Sequence, residues 1–215
     1  MATTGLKFKS LPKWAVLGSI MVVMFASLAW MSEAPAQSPT ALNLQAAYTA
    51  ESNAYVRYLA FAERAQENEF GEAASLFRAA ACAEHIHLKN IAAVMRKMGY
   101  EPVIRVATPV VKTTAENLRT SAEVGEAFER DIQYPEFIKI ARAEGNDEAV
   151  RAFQYAMTAE AQHVKLFNAA LSNLHKMDST NRVYHVCSTC GYTGERAAKP
   201  CPGCGEPNPA YEEMF

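Results

Sequence analysis

Four stretches of the chain alternate apolar and polar residues with the 3.6-residue period of an amphipathic helix. Gly71, Gly99 and Gly145 mark the breaks between them, and Thr40 is of a residue type that caps helix starts. The predicted helices cover about residues 40–69, 72–98, 114–144 and 148–175. The pattern therefore predicts an all-α helical domain over residues 41–178.

One connection between these helices is too long for a tight turn. Residues 103–112 are rich in β-branched residues and contain Pro109, so we expect an extended crossover there. Such a crossover gives the third helix the direction that it has in a ferritin-like four-helix bundle. Within that helix, Pro135 removes a backbone donor and predicts a kink.

The first 40 residues have a different pattern. Trp14 to Ser32 carry no charge, and Ala34-Pro35-Ala36 has the form of a signal-peptidase site. The stretch exceeds a signal core of about 7–15 residues and approaches the roughly 20 residues of a membrane span. We predict a cleaved export signal or a membrane anchor over residues 14–32, then a short linker, with all later residues outside the cytoplasmic membrane. The lysines that set this orientation are Lys7, Lys9 and Lys13.

Composition limits the classes of function. The chain has 215 residues, of which 50% are hydrophobic, enough for one sizeable core and a small appendage. Its net charge of −2, with acids and bases interspersed, argues against nucleic acid as a partner. Of its five cysteines, Cys82 stands alone in a helix and is interpreted as structural.

Two of the predicted helices carry the motif Glu-x-x-His, at Glu84–His87 and Glu160–His163. Residues three apart on a helix share a face, so each Glu and His can reach one metal ion. The helix before each motif contributes a further glutamate, Glu51 or Glu126. Four-helix bundles of the ferritin-like kind hold a metal pair with this ligand set. Carboxylates with one imidazole per ion suit iron or manganese, and the spacing does not choose between them.

Three further residues complete the predicted site. Glu129 follows Glu126 on the same helix face and is either a seventh ligand or a solvent-facing residue paired with Arg130. Tyr58 and Tyr134 are placed to donate hydrogen bonds to ligand carboxylates, although both also fit an ordinary core. An extra carboxylate lets the metal pair change its coordination between oxidation states, which suits redox chemistry more than storage.

The last part of the chain contains two Cys-x-x-Cys pairs, Cys187/Cys190 and Cys201/Cys204. Two such pairs predict a tetrahedral metal site. Structural zinc and redox-active iron both fit this spacing, and a disulfide pairing remains a third alternative outside the cytoplasm.

The order of these motifs resembles the rubrerythrin family over about residues 41–215, including Tyr134-Pro135-Glu136-Phe137 after Glu126 and Glu129. The resemblance implies a ferritin-like di-iron bundle over residues 41–178 and a rubredoxin-like domain over residues 182–215. It also implies that the di-iron ligands are Glu51, Glu84, His87, Glu126, Glu129, Glu160 and His163, and that Cys187, Cys190, Cys201 and Cys204 hold a single iron. The N-terminal segment, residues 1–40, departs from the usual soluble family member.

The function that the resemblance implies is a non-haem di-iron peroxidase. It would reduce hydrogen peroxide to water with electrons relayed through the four-cysteine iron, and so protect against oxidative stress. An unknown donor protein or reductase would supply the electrons, and the family implies a homodimer in which the iron domain of one chain approaches the bundle of the other. The alternatives are an iron-binding ferroxidase and a bundle with a structural zinc module.

Overall fold

A computed structural model of the chain describes residues 38–215. The predicted export or anchor segment, residues 14–32, and the Ala34-Pro35-Ala36 site lie outside the described residues. None of the helices after residue 37 combines the length and apolarity of a bilayer span.

The first two helices agree with the apolar periodicity. Helix α1 spans Pro39–Glu67 and α2 spans Gly71–Lys97. Ser38, rather than the expected Thr40, caps α1 by accepting a hydrogen bond from the Ala41 amide at 3.3 Å, whereas Thr40 is buried. The break predicted at Gly99 is present, since its φ of 83° is a left-handed conformation that favours glycine at a helix end.

The third helix is less regular than the sequence pattern predicts. It consists of α3 (Thr114–Thr120), two π-helical segments at Ser121–Glu126 and Glu129–Gln133, and α4 (Tyr134–Ala143). Pro135 lies in the first turn of α4, where a missing N–H is tolerated. The irregular part of the helix therefore lies before the proline and contains both Glu126 and Glu129. Such π-helical turns often occur at functional sites.

The fourth helix, α5, spans Asp147–Asn173 and is capped by Asn146, whose side chain accepts from the Ala149 amide at 2.9 Å. A 3-10 turn follows at Leu174–Lys176. Residues 101–113, between α2 and the third helix, have no regular secondary structure, which agrees with the predicted crossover.

Each of the four helices contributes buried residues to two apolar clusters. One contains Tyr58, Phe61 and Phe77, and the other contains Tyr134 and Phe153. Along each of the four helices, the predicted ligands lie where the buried residues change from one cluster to the other. The order of the clusters also shows that α2 and the third helix run in the same direction, which is why a long crossover must join them.

The C-terminal residues form a three-stranded antiparallel sheet in the order β2-β1-β3. The strands are β1 (Tyr184–Cys187), β2 (Thr193–Gly194) and β3 (Tyr211–Met214). This sheet packs against α2 and α5 of the same chain. The helical bundle and small four-cysteine domain agree with the predicted fold class, and residues 38–215 form one compact unit.

Candidate metal centres

The first of two buried ligand groups combines three helices. Glu51 of α1, Glu84 and His87 of α2 and Glu160 of α5 each offer one ligand atom, and these atoms all lie within 4.8 Å of one another. The Nδ1 atom of His87 lies 2.9 Å from a Glu84 oxygen, 3.1 Å from Glu160 and 3.6 Å from Glu51. The helix spacing of the Glu-x-x-His motif therefore directs the imidazole toward the carboxylates.

The second group repeats the arrangement. It contains Glu84, Glu126, Glu160 and His163, again with ligand atoms within 4.8 Å of one another. The Nδ1 atom of His163 lies 2.8 Å from Glu160 and 3.6 Å from Glu126. Because Glu84 and Glu160 belong to both groups, they are placed to bridge two ions, while each ion keeps one glutamate and one histidine of its own.

The charges of these six residues are not balanced by the protein alone. Each side chain is at most 1% exposed. Four carboxylate oxygens, one each on Glu51, Glu84, Glu126 and Glu160, lack a hydrogen-bond partner among the described residues. Burying unpaired carboxylates costs several kcal/mol, on an order-of-magnitude basis, unless a cation compensates for it. The donor set therefore fits two hard or intermediate divalent ions.

The pKa values show the same imbalance. Burial and the charge of Glu160 raise the pKa of Glu84, and burial and the charge of Glu126 raise the pKa of Glu160, each well above its usual value. Burial also opposes ionisation of Glu126, but hydrogen bonding and the charge of His163 outweigh it and lower the pKa of Glu126 to about 2. Without metal, only part of the carboxylate set is stable in its charged form.

Glu129, the predicted seventh ligand, lies outside both groups. It is 7% exposed, more than the other six, and burial together with the charge of Glu51 raises its pKa well above the usual value. Its role as a ligand stays a prediction.

Two tyrosines contact the glutamates that belong to one group only. Tyr58 donates a hydrogen bond to Glu126, and Tyr134 donates one to Glu51. Both rings are fully buried in the apolar clusters. The structure thus places each tyrosine where the sequence predicted a donor to a ligand carboxylate, and each can fix the direction in which that carboxylate points.

A cavity of about 280 Å³ adjoins Glu129 and is also lined by Arg57, Gly125, Phe128 and Gln133. The Arg57 guanidinium lies 5.2 Å from the centre of the Tyr58 ring. Phe128 is 51% exposed, so the cavity reaches the protein surface beside an apolar side chain. Arg57 is among the residues that carry the family resemblance, but the sequence predicted no role for it, because a single arginine in an amphipathic helix has no specific pattern.

The four cysteines form a separate site. Their sulfur atoms lie within 4.8 Å of one another, with Cys190 and Cys201 at 3.7 Å and Cys187 and Cys204 at 4.0 Å. A tetrahedral ion with metal–sulfur bonds of about 2.3 Å requires sulfur separations of about 3.8 Å. None of the four is disulfide-bonded in the structure, and their separations favour a metal site over the disulfide alternative. A hydrogen bond from Cys190 lowers the pKa of Cys187 to about 5, which favours the thiolate form that binds metal.

Both histidines also contact the four-cysteine domain. The Nε2 atom of His87 lies 3.2 Å from the carbonyl oxygen of Cys190, and Nε2 of His163 lies 3.0 Å from the hydroxyl of Thr193. Both contacts lie within the single chain that the structure describes, and the approach of the four-cysteine domain to the bundle of another chain stays a prediction. Thr193 was not predicted, because a lone threonine after a cysteine pair has no distinctive pattern.

Cys82 lies apart from both sites. Its sulfur atom is 3.3 Å from a carboxylate oxygen of Glu212 on β3. Burial and this hydrogen bond raise the pKa of Cys82 to about 12, so the thiol stays protonated and unreactive. The geometry agrees with the structural interpretation of this residue.

Fold and site together define a di-metal carboxylate protein of the ferritin-like kind with an attached four-cysteine metal domain. The sequence model of the Rubrerythrin family matches residues 43–171. Nigerythrin of Nitratidesulfovibrio vulgaris is 38% identical over 173 residues, covering 79% of this chain and 83% of the relative. Rubrerythrin-2 of Clostridium acetobutylicum is 36% identical over 171 residues, covering 77% of this chain and 91% of the relative.

Comparison with solved structures also finds nigerythrin. Fully reduced nigerythrin, described as all ferrous, matches with a TM-score of 0.74 and 34% identity, covering 85% of this chain and 91% of that chain. The bacterioferritin of Desulfovibrio desulfuricans matches with a TM-score of 0.61 at 19% identity, covering 75% of this chain and 93% of that one, which is a likeness of fold alone.

The chain belongs to the rubrerythrin family. It is an iron-dependent oxidoreductase of oxidative-stress defence, with the residues of a di-iron centre and of a four-cysteine iron site both present. Membership of the family implies a peroxide substrate and a redox partner.

Proposed function

We propose that the protein is a peroxidase that reduces hydrogen peroxide to two molecules of water, using two electrons and two protons for each peroxide. The single observation that carries this proposal is the hydrogen bond between His87 and the carbonyl oxygen of Cys190, at 3.2 Å. It joins a candidate di-iron ligand directly to a cysteine of the four-cysteine site, so an electron acceptor and an electron carrier are in contact. The contact offers electrons a route into the bundle, which iron storage alone does not require.

When bound, a reduced iron pair supplies the two electrons and the Lewis acidity that cleavage of an oxygen–oxygen bond requires. The surrounding residues hold that pair in a buried, fixed frame. Glu84 and Glu160 belong to both ligand groups, and the Tyr58 and Tyr134 hydroxyls restrain Glu126 and Glu51. Because Glu84 and Glu160 are shared, they would hold the two ions close together.

Peroxide would approach through the cavity beside Glu129. This side chain is the most exposed of the seven predicted ligands, and the cavity of about 280 Å³ exceeds the volume of a few water molecules, about 30 Å³ each in the liquid. A larger cavity, of about 400 Å³, lies against α1 and α2 beside Ser52 and His85, but Glu51, Glu84 and His87 are not among its lining residues. Arg57 in the wall of the cavity beside Glu129 would partly balance the acidic charge that faces an entering molecule.

Cys187, Cys190, Cys201 and Cys204 would hold an iron that supplies one-electron chemistry beside the bundle. The path from the Cys190 sulfur runs through its own backbone to the carbonyl oxygen, then across the hydrogen bond to His87. Gly191 keeps this contact close, since a Cβ atom at that position would lie only 2.4 Å from Nε2 of His87.

The test compares the rates at which hydrogen peroxide and oxygen oxidise the reduced protein. Anaerobically reduced protein, mixed with hydrogen peroxide or with oxygen and followed by stopped-flow absorbance, should be oxidised much faster by peroxide. About one peroxide should be consumed per di-iron site, and the iron should stay bound. Faster reaction with oxygen, followed by accumulation of many ferric ions per chain, would instead establish the ferroxidase alternative.

A matched variant separates the two metal sites. Replacing Cys187 and Cys204 with Ser should remove the red colour of a ferric tetrathiolate site and abolish turnover with a one-electron donor. A single oxidation of the reduced bundle by peroxide should persist, because the bundle ligands are separate residues. Unchanged turnover in this double variant would mean that the domain is a structural module, as it would be with zinc.

We further propose that residues 14–32 export the chain or anchor it, which places both metal sites on the extracytoplasmic side. Cell fractionation should find the protein in the membrane, or soluble and exported with a new N-terminus near Gln37. Full-length protein in the soluble cytoplasm would refute this placement.

The homodimer is also a proposal, supported by the family resemblance. Sedimentation of the purified protein should give the mass of two chains, and a single-chain mass at micromolar concentration would refute it.

A further inference from the structure

The hydroxyl of Thr193 joins the second histidine ligand to the four-cysteine domain. Thr193 lies on β2, is 0% exposed, and its oxygen is 3.0 Å from Nε2 of His163. The same oxygen is 3.1 Å from the carbonyl oxygen of Gly191. The threonine therefore has two polar neighbours, one from the bundle and one from its own domain.

The hydrogen positions follow from the chemistry of these groups. A hydroxyl has a single proton, and the Gly191 carbonyl can only accept, so the Thr193 proton is donated there. In the hydrogen bond with His163, the Thr193 oxygen is therefore the acceptor and the imidazole N–H at Nε2 is the donor. Metal binding through Nδ1 requires a neutral imidazole, which carries a single N–H; with that hydrogen on Nε2, the Nδ1 lone pair of His163 faces Glu160 and Glu126. That is the tautomer in which Nδ1 can bind a metal.

We propose that Thr193 is a positioning residue for the second iron. It holds His163 in the ligating tautomer and orientation, and it thereby makes the affinity of the bundle for this ion depend on the four-cysteine domain. The proposal rests on the di-iron centre and does not depend on the peroxide reaction. The four-cysteine domain thus has a second task beside carrying electrons, which is to support the site that it serves.

The two histidines differ in how this support is built. His87 is held by a backbone carbonyl, that of Cys190, which every amino acid at that position would supply. His163 is held by a side-chain hydroxyl, which only serine or threonine supplies at this place. The fold of β2 itself does not need the hydroxyl, because the strand pairs with Val186 and His185 of β1. Valine has nearly the shape of threonine and suits a strand, so its substitution removes the hydroxyl with little change in packing.

The experiment measures iron retention by the reduced full-length protein during an anaerobic challenge with a ferrous chelator. Loss of an outer hydrogen-bond partner of a ligating histidine typically lowers metal affinity about 10- to 100-fold. Thr193→Val should therefore release one of the two bundle ions about tenfold faster or more, with unchanged absorption from the four-cysteine iron. Thr193→Ser keeps the hydroxyl and should retain both ions at the wild-type rate.

Three results would overturn the proposal. In one, Thr193→Val releases iron at the wild-type rate. In the second, Thr193→Ser releases it as fast as Thr193→Val, which would make the methyl group or the volume the relevant property. In the third, both variants lose the absorption of the four-cysteine iron, which would assign Thr193 to the stability of its own domain. None of these measurements uses peroxide, so a failure here is distinct from a failure of the peroxidase function.

Discussion

Gly191 shows how one residue connects the two metal sites. Its φ of 77° lies in the left-handed region, where a side chain is strained, and a Cβ atom there would lie 2.4 Å from Nε2 of His87. Gly205 occupies the equivalent place after the second cysteine pair and has a φ of 75°, but nothing lies within 4 Å of its Cβ position. The first glycine is needed both for the turn and for the contact, the second only for the turn.

This difference gives a prediction. Gly191→Ala should displace His87 from the Cys190 carbonyl and slow oxidation of the reduced four-cysteine iron by peroxide, by about tenfold or more, as stopped-flow absorbance would show. Gly205→Ala is the control, because it introduces the same backbone strain, on the order of 1–3 kcal/mol, without the steric contact. Equal slowing in both variants would show that backbone strain, and not the His87 contact, limits the reaction.

At the scale of elements, the third helix and the crossover depend on contacts with other parts of the bundle. Glu126 ends one π-helical segment and Glu129 begins the next, so both acidic residues lie in wide turns that α-helical periodicity does not describe. The crossover is held by two amide side chains of α1. Gln45 exchanges hydrogen bonds with the backbone of Val103 at 2.8 and 2.9 Å, and Asn53 bonds Arg105 and Ala107 at 3.0 and 2.8 Å.

Removing these amides should free the crossover without disturbing the metals. Each exposed hydrogen bond contributes about 0.5–1.5 kcal/mol, so Gln45→Ala with Asn53→Ala should speed amide exchange at Val103 and Ala107 on the order of tenfold. Hydrogen-exchange mass spectrometry and iron analysis test this. Asn168→Ala is the control, since among residues 38–215 its side chain bonds only Val164 of its own helix. Loss of bundle iron in the double variant would show that the crossover also supports the site.

At the scale of the whole molecule, metal binding and folding are coupled. The bundle centre contains five buried glutamates, and three of them, Glu84, Glu129 and Glu160, have raised pKa values. A raised pKa in the folded state means that the protonated form stabilises the fold. In the metal-free protein this stabilisation is present at acid pH and is lost as pH rises through the raised pKa values.

Metal removal should therefore destabilise the protein most at neutral and alkaline pH. Iron at about 100 times its dissociation constant adds about 2.7 kcal/mol for a single site, equivalent to a rise in Tm of about 5–10 °C for a chain of this size. Calorimetry of metal-free and iron-loaded protein should show this difference at pH 7.5 and a smaller one near pH 5. A larger difference near pH 5 would contradict the assignment of buried, proton-binding carboxylates.

Much of the molecule follows from the sequence, because helix periodicity, Glu-x-x-His spacing and paired cysteines are local properties. They predicted the four helices, the crossover and the four-cysteine metal site. The same motifs suggested the six residues that the structure brings together between the two apolar clusters.

Only the tertiary structure decided which carboxylates belong to both metal groups, that Glu129 lies outside them, and that the third helix contains π-helical turns. It also decided that the four-cysteine domain contacts its own bundle through Gly191 and Thr193. The physical reason is that each of these features depends on contacts between residues far apart along the chain, such as His163 with Thr193 and Tyr134 with Glu51. Sequence motifs marked His163, Glu51 and Tyr134 as candidates, but which residue each of them contacts is set by the packing of distant segments.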